Sequence, residues 1–130
     1  MASGHREQIL LVEDDPKLAR LTEQLLETFG YQVEVAGRGM DALVGAAERH
    51  PNLVLLDLML PDMDGYEVCR QLRQLYHASV MPIVIVTAKD QPMDQLRGIA
   101  SGANAYLRKP FDSTELVKTV VTLLEQAEVA

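Results

Sequence analysis

Residues 53–65 read LVLLDLMLPDMDG, and the four aliphatic residues that open this stretch decide the fold. An apolar run this short is typical of a strand that is buried on both faces, as in a parallel sheet. Asp57 follows the run directly. A lone aspartate after a strand is more often a simple turn residue. Because open parallel sheets bind ligands at the carboxyl ends of their strands, however, Asp57 is also placed where chemistry can occur.

Four further strand-like runs surround this central one in the sequence. The predicted strands cover residues 8–12, 31–35, 53–56, 83–87 and 103–108, and a helical pattern follows each of them. This alternation argues for one parallel sheet with helices on both faces. In the second run, Tyr31, Val33 and Val35 alternate with polar residues, which is typical of a strand at the edge of a sheet.

Four of the predicted helices carry an apolar row that we expect to face the sheet. The rows are Leu18, Leu21, Leu25 and Phe29 in the first helix, Val68, Leu72 and Leu75 in the third, Met93, Leu96 and Ile99 in the fourth, and Leu116, Val120, Leu123 and Leu124 in the fifth. Asp15 and Pro16 provide an N-cap and a first-turn proline for the first helix, and Gly30 provides its end.

The composition limits the classes of function. The chain has 130 residues, enough for one domain, and 19 acidic against 12 basic residues give a net charge of −7. This balance disfavours a nucleic-acid groove and favours a cation site or a basic protein partner. The single cysteine excludes an internal disulfide and a multi-cysteine metal site. No apolar run approaches the roughly 20 residues of a membrane span, and residues 1–8 do not resemble a signal peptide, so we expect a cytoplasmic protein.

Polar side chains stand at the ends of four predicted strands. They are Glu13 and Asp14 after the first strand, Asp57 after the third, Thr87 after the fourth and Lys109 after the fifth. In a parallel sheet all of them lie along one edge, where the three carboxylates would repel one another unless a cation such as Mg²⁺, which prefers oxygen ligands, neutralised them. A hydroxyl and an ammonium would complete a pocket for a phosphoryl group, with Asp57 as the nucleophile. Each of these residues alone has an ordinary structural explanation. The prediction of a phosphoryl-transfer site rests on their occurring together at the ends of four strands.

The sequence resembles the receiver domain of two-component response regulators from about residue 8 to residue 126. The motifs that carry the resemblance are LLVED at 10–14, LLDLMLPDMDG at 55–65, VTA at 86–88 and GANAYLRKPF at 102–111. The resemblance implies a flavodoxin-like fold of five parallel strands in the order 2-1-3-4-5 with five helices. It divides the chain into a flexible segment 1–7, a receiver domain 8–126 and a tail 127–130.

The resemblance also implies the roles of the site residues. Asp57 would accept a phosphoryl group from a histidine of a partner protein. The protein would be a regulator rather than an enzyme, with intrinsic autophosphorylation and slow hydrolysis of its aspartyl phosphate. Asp14, Asp57 and the backbone carbonyl of Met59 would bind Mg²⁺ directly, and Glu13 would bind it through a water.

A second set of roles concerns the switch. Lys109 would pair with the phosphoryl group, Thr87 would move to bond to it, and Tyr106 would rotate inward behind Thr87. The bond before Pro110 is expected to be cis. Phosphorylation would thereby change the surface formed by the fourth helix, the fifth strand and the fifth helix.

The implied partners are a sensor histidine kinase or histidine phosphotransfer protein, and a downstream effector protein or fused output domain. No direct nucleic-acid or membrane binding is expected. Ala105 and Thr119 stand where DNA-binding regulators of this family usually carry the charges of a dimer interface, and Gln91 and Gln95 stand where basic residues are frequent. We therefore expect a monomer.

Two other functions occur on a fold of this kind. A flavin-binding electron carrier needs a phosphate-cradling loop after the first strand. Residues 13–16 read EDDP and would repel phosphate, which excludes it. A phosphorylation-independent interaction module, or pseudo-receiver, remains the alternative, although every functional position is filled.

Overall fold

The computed structural model of the chain describes residues 6–89 and 91–127. Most of the predicted N-terminal segment and most of the predicted tail therefore lie outside the described residues. Within this range, strands and helices alternate five times.

The five strands form one parallel sheet, as predicted. They are β1 (Gln8–Val12), β2 (Gln32–Ala36), β3 (Leu53–Leu56), β4 (Ile83–Thr87) and β5 (Ala105–Arg108). Their order in the sheet is β2-β1-β3-β4-β5, so that β3 is central and β2 is an edge strand. The last strand begins two residues later than predicted, because Gly102 has a φ of +108° and Asn104 is still part of the turn.

Five helices cover the two faces of the sheet. They are α1 (Pro16–Thr28), α2 (Gly39–Arg49), α3 (Gly65–Leu75), α4 (Pro92–Ala100) and α5 (Ser113–Gln126). The buried residues form two clusters, one beneath α1 and α5 and the other beneath α2 and α3. Successive residues of β1 point alternately into the two clusters, since side chains in a strand have a period of two.

The register of the sheet brings the strand ends together. Val12 pairs with Leu56, Leu56 with Ile85, and Thr87 with Arg108. The backbone N–H of Asp57 continues the ladder by donating to the Val12 carbonyl at 3.0 Å. The residues that follow β1, β3, β4 and β5 consequently lie along one edge.

The predicted apolar face of α1 is wrong in part. Leu21 is 64% exposed and Phe29 is 55% exposed, and a different row, Ala19, Thr22 and Leu26, packs on the sheet. The helical period identified a helix, but α1 has two rows that could face inward. The row with small residues lies on the sheet, and the leucine row faces the side of α5.

The predicted inward face of α4 is wrong throughout. Met93, Leu96 and Ile99 are 66%, 62% and 55% exposed. Among the residues of α4, all of which the structure describes, only Gly98 is buried. A Cβ at Gly98 would lie 3.0 Å from both the Ile85 Cδ1 and the Tyr106 Cδ2, so the helix approaches the sheet along the side that carries the glycine.

The loop between β3 and α3 folds tightly back on itself. Asp64 caps α3 by accepting from the Tyr66 N–H at 2.8 Å, and the Gly65 N–H donates to the Leu58 carbonyl at 3.1 Å. Asp62 reaches across to α2, where its two carboxylate oxygens accept from the Gly39 and Met40 N–H groups at 2.8 and 3.0 Å. These contacts fix the segment that follows Asp57.

We predict that Gly65→Ala destabilises the fold. The new Cβ would lie 2.4 Å from the Leu58 Cα and 2.8 Å from the Asp57 carbonyl oxygen, and both atoms belong to the backbone. Overpacking of this kind typically costs about 1–3 kcal/mol in the free energy of unfolding. Equilibrium urea unfolding measures it. Gly45→Ala is the matched control, because its Cβ meets nothing closer than 3.8 Å, and an unchanged midpoint for Gly65→Ala would contradict the prediction.

Candidate functional site

Asp57 lies at the end of the central strand and is almost fully buried, with 7% of its surface exposed. Its Oδ1 accepts a hydrogen bond from the Met59 N–H at 3.1 Å. Its Oδ2 accepts from the Lys109 ammonium at 2.8 Å. The predicted phosphoacceptor and the predicted lysine, which are 52 positions apart in the sequence, are therefore in direct contact.

The acidic pair after β1 divides into a buried and an exposed member. Glu13 is buried, and its Oε1 accepts from the same Lys109 ammonium at 2.6 Å. Asp14 is exposed. One carboxylate oxygen from each of Glu13, Asp14 and Asp57 lies within 4.8 Å of the others, which is a spacing at which the three could hold a metal ion.

The electrostatics of this cluster depend on burial and on the shared ammonium. Burial raises the pKa of Glu13, and the neighbouring Asp57 adds to this, while Lys109 opposes it without cancelling it. Burial alone would lower the pKa of Lys109, but its hydrogen bonds to Asp57 and Glu13 prevail and raise it. Lys109 therefore stays charged at neutral pH. Three carboxyl groups lie near a single ammonium, and a divalent cation can neutralise the negative charge that the ammonium leaves.

Thr87 and Tyr106 occupy the neighbouring strand ends. Thr87 is fully buried, and its carbonyl accepts from the Lys109 N–H at 2.8 Å, which fixes the lysine backbone beside it. Tyr106 is half-buried, with its ring against Gly98 of α4 and its hydroxyl donating to the Lys89 carbonyl at 2.7 Å. The Lys109–Pro110 peptide bond is cis, as expected.

A wide apolar cleft between α1 and α5 opens beside this cluster. Its volume is about 590 Å³, and it reaches from Leu21 and Leu25 on α1 to Ala88, Lys109 and Phe111. A second cavity of about 440 Å³ continues the cleft along Phe29 and Val117. The sequence interpretation missed this surface because it placed the leucine row of α1 in the core. The length of that row, which continues to Phe29, was the available signal.

The family model for the response regulator receiver domain matches residues 9–121. The chain belongs to this family. Receivers are signalling regulators rather than classical enzymes, and the fold and motifs above are those expected of one. No helix in the described ranges combines the length and the apolarity that crossing a bilayer requires.

Curated relatives of this receiver are longer proteins. The DNA-binding response regulator MtrA of Mycolicibacterium smegmatis is 46% identical over 123 residues, which cover 95% of this chain and 53% of that protein. The alkaline phosphatase synthesis transcriptional regulatory protein PhoP of Bacillus subtilis is 41% identical over 123 residues, which cover 95% and 50%. The chain spans about half the length of the curated relatives it matches.

Solved receiver structures are similar over nearly the whole chain. The BeF3-activated N-terminal receiver domain of Klebsiella pneumoniae RstA has a TM-score of 0.87 and 35% identity, and the match covers 92% of this chain and 100% of that one. A CheY-like receiver domain protein from Methanospirillum hungatei has a TM-score of 0.87 and 30% identity, with coverage of 93% and 95%. These similarities agree with the five-stranded sheet order.

The structure thus brings together Glu13, Asp14, Asp57 and Lys109, and it places Thr87 next to Lys109. Met59 contacts Asp57 through its backbone N–H, while the residue as a whole is 57% exposed. This arrangement is consistent with a role of the Met59 main chain rather than of its thioether.

Proposed function

We propose that this receiver is the phosphoacceptor switch of a two-component phosphorelay and that Asp57 is the residue that is phosphorylated. The observation that supports this most directly is the contact of the Asp57 carboxylate with the Lys109 ammonium, next to two more carboxylates. A buried structural ion pair would need only one acid. The surplus of acidic groups is what a divalent cation requires, and that cation together with Lys109 would offset the negative charge of an incoming phosphoryl group.

Asp14, Asp57 and the Met59 carbonyl are the proposed direct ligands of Mg²⁺, and Glu13 is proposed to act through a water. Bound Mg²⁺ would neutralise the carboxylates and stabilise charge on the phosphoryl oxygens. An Asp57 carboxylate oxygen attacks the phosphorus of a phosphohistidine, and the P–N bond breaks with its electron pair left on the nitrogen. The ring leaves as neutral imidazole, either because its other nitrogen already carries a proton or because the released nitrogen takes one from water. Lys109 then pairs with a phosphoryl oxygen, which holds the developing charge in a site largely closed to solvent.

Thr87 and Tyr106 are proposed to carry the change outward. The Thr87 hydroxyl would donate a hydrogen bond to a phosphoryl oxygen. The Lys89 N–H, which donates to the Thr87 Oγ1 at 3.5 Å, would move together with that hydroxyl. Since the Lys89 carbonyl accepts from Tyr106, a shift there reaches the surface of α4, β5 and α5. That surface would contact an effector protein or a fused output domain.

The receiver unit is proposed to be residues 8–126, acting without direct nucleic-acid contact and as a monomer. Two of the relatives named above are described as DNA-binding or transcriptional regulators, and any such output would belong to residues beyond this unit. The monomer is supported by Ala105 and by Thr119, whose hydroxyl donates to the Glu115 carbonyl of its own helix at 2.9 Å. Neither residue offers a charge for an ion pair between two copies.

The phosphodonor protein, a sensor histidine kinase or histidine phosphotransfer protein, is proposed to dock in the α1–α5 cleft. Its phosphohistidine must reach Asp57, so the phosphodonor must contact the residues around the pocket that Glu13, Asp57 and Lys109 line, which we call the acceptor pocket. The cleft is apolar, and Lys109 and Ala88 form part of its wall, so it is continuous with that pocket.

Leu21→Arg tests this docking. Leu21 is exposed in the cleft and is not one of the residues proposed to bind the metal or the phosphoryl group. We therefore expect phosphotransfer to fall about tenfold or more, measured with a phosphorylated histidine kinase that transfers to the wild-type chain. Labelling by acetyl phosphate, which needs no docking, should be unchanged. Leu75→Arg is the control, because Leu75, for which the predicted inward orientation was wrong, is 52% exposed on α3 outside the cleft. Equal losses in both variants would argue against this docking surface.

The function itself is tested by incubation with acetyl phosphate and Mg²⁺, followed by intact mass spectrometry. We expect a mass gain of one phosphoryl group that disappears when EDTA replaces Mg²⁺ and that decays slowly after the donor is removed. Beryllofluoride with Mg²⁺ should shift the amide resonances of α4 and β5. A chain that shows neither a mass gain nor a spectral change would be the phosphorylation-independent interaction module.

A further inference from the structure

The attachment of α4 to the body of the protein is unusual among the five helices. Its three large apolar residues are exposed, and Gly98 is its buried residue. A helix that buries so little apolar surface gains little from the hydrophobic effect, which contributes in proportion to the area removed from water. Polar contacts must therefore contribute more to its position than they do for α1, α3 or α5.

Tyr66 provides one of these polar contacts. It is the second residue of α3 and is fully buried. Its hydroxyl donates to the Asp94 carbonyl in the first turn of α4 at 3.0 Å, with the Asp94 Oδ1 at 3.4 Å. Asp94 in turn caps the helix by accepting from the Gln91 N–H at 3.2 Å. One phenol thus joins the start of α3 to the start of α4.

The ring of Tyr66 is covered by cations from the same region. The Arg97 guanidinium lies 4.2 Å from the ring centroid, within the range of a cation–π interaction, and it also lies 3.8 Å from the carboxylate of Asp64, the N-cap of α3. The Lys89 ammonium lies 5.8 Å from the same centroid. Since the Tyr106 hydroxyl donates to the Lys89 carbonyl, one tyrosine bonds to Lys89 after β4 and the other bonds to Asp94 in the first turn of α4.

We propose that the Tyr66 hydroxyl helps to set the position of α4, so that loss of its hydrogen bond to Asp94 shifts the equilibrium from an attached towards a displaced α4. This goes beyond the proposed phosphoacceptor function, because it concerns the free protein and requires neither Mg²⁺ nor phosphorylation. The Tyr66 hydroxyl bonds to Asp94, and Tyr66 acts as a positioning residue for the helix that follows Thr87. A partner or ligand that moves α4 must either break the hydrogen bond between Tyr66 and Asp94 or move Tyr66 together with α4.

Tyr66→Phe tests the proposal, since it removes the hydroxyl and keeps the buried ring. Amide hydrogen exchange of the free protein, followed by NMR, should show the amides of α4 exchanging about three- to tenfold faster, which is the range for one lost hydrogen bond. The amides of α1 and α5 should exchange at wild-type rates. Far-UV circular dichroism and binding of Mg²⁺ with beryllofluoride should persist, because the acceptor pocket is intact.

Tyr76→Phe is the matched control at the other end of α3. Its hydroxyl donates to the Ala46 carbonyl in α2 at 2.6 Å, so its loss should speed exchange near the end of α2 and leave α4 unchanged. The proposal is overturned if α4 exchanges at the wild-type rate in Tyr66→Phe. It is equally overturned if exchange accelerates uniformly across all five helices, because Tyr66 would then only contribute to global stability. If Asp57 proved not to be phosphorylated, these exchange measurements could still be interpreted, because they are made on the free protein.

Discussion

Asp57→Asn is expected to abolish phosphoryl uptake from acetyl phosphate. The amide has nearly the same shape as the carboxylate, but its oxygen is a poor nucleophile, and an acyl phosphate cannot form on it. Removal of a nucleophile typically lowers a rate by several orders of magnitude, and we expect a loss of at least about a thousandfold. The measurement is the rate of mass gain by intact mass spectrometry, with Mg²⁺ and acetyl phosphate at fixed concentrations.

The variant should remain folded, which makes the result interpretable. Lys109 keeps its ion pair with Glu13 at 2.6 Å, and the amide oxygen of the substituted side chain can still accept from the ammonium. Asp62→Asn is the control within the same loop, because Asp62 is exposed and bonds to α2 rather than to Lys109. Undiminished labelling of Asp57→Asn, at whatever residue it occurred, would show that Asp57 is not the acceptor.

The constellation around Asp57 could be predicted because it depends on topology. Once residues 8–12, 53–56 and 83–87 are identified as buried parallel strands, the residues that follow them must share an edge. No side-chain detail is needed to bring Lys109 towards Asp57. The pairing of Lys109 with Glu13 was not predicted, since it depends on Glu13 being buried and Asp14 exposed, and two adjacent acids in a loop give no sign of which points inward.

The orientations of α1 and α4 could not be obtained from periodicity. In α1, two neighbouring rows have apolar character, and the choice between them depends on the close fit of Ala19 and Thr22 to the sheet. In α4, the buried side is formed by Gly98, which has no side chain and therefore contributes nothing to an apolar pattern. Exposed apolar rows can serve as contact surfaces for other proteins, so an apolar row in a helix does not by itself identify the face that packs on the core.

Lys109→Met is the second change with a large expected effect, and it acts on stability as well as on signalling. The methionine keeps most of the length of the stem but leaves two buried carboxyl groups without their cation. Removing one partner of a buried ion pair typically costs about 3–5 kcal/mol. Urea unfolding at pH 7 without Mg²⁺ measures this loss. Lys118→Met, at an exposed position of α5, is the control and should have almost no effect.

The stability lost in Lys109→Met should depend on pH, and the pKa shifts of Lys109 and Glu13 determine the direction of that dependence. In the wild type, the pKa of Lys109 is raised above 10.5, so its contribution to stability is fully present below about pH 10.5 and is lost as the pH rises through the raised value. In the variant, burial raises the pKa of Glu13 above 4.5 with no ammonium to oppose it. The folded variant then holds a proton that the unfolded chain releases, so its stability falls as the pH rises through that raised pKa.

The difference in stability between Lys109→Met and the wild type should therefore shrink at acidic pH, where the Glu13 carboxyl with its raised pKa becomes protonated, and be full at pH 7. Added Mg²⁺ should restore more stability to the variant than to the wild type, because in the variant the metal would be the cation that the carboxylates lack. Beryllofluoride should no longer shift the α4 resonances, since the phosphoryl mimic has lost its ammonium partner. A deficit that is constant from about pH 4 to pH 8 would mean that Lys109 contributes only packing, and the carboxylates would then have to be neutralised by something other than this lysine.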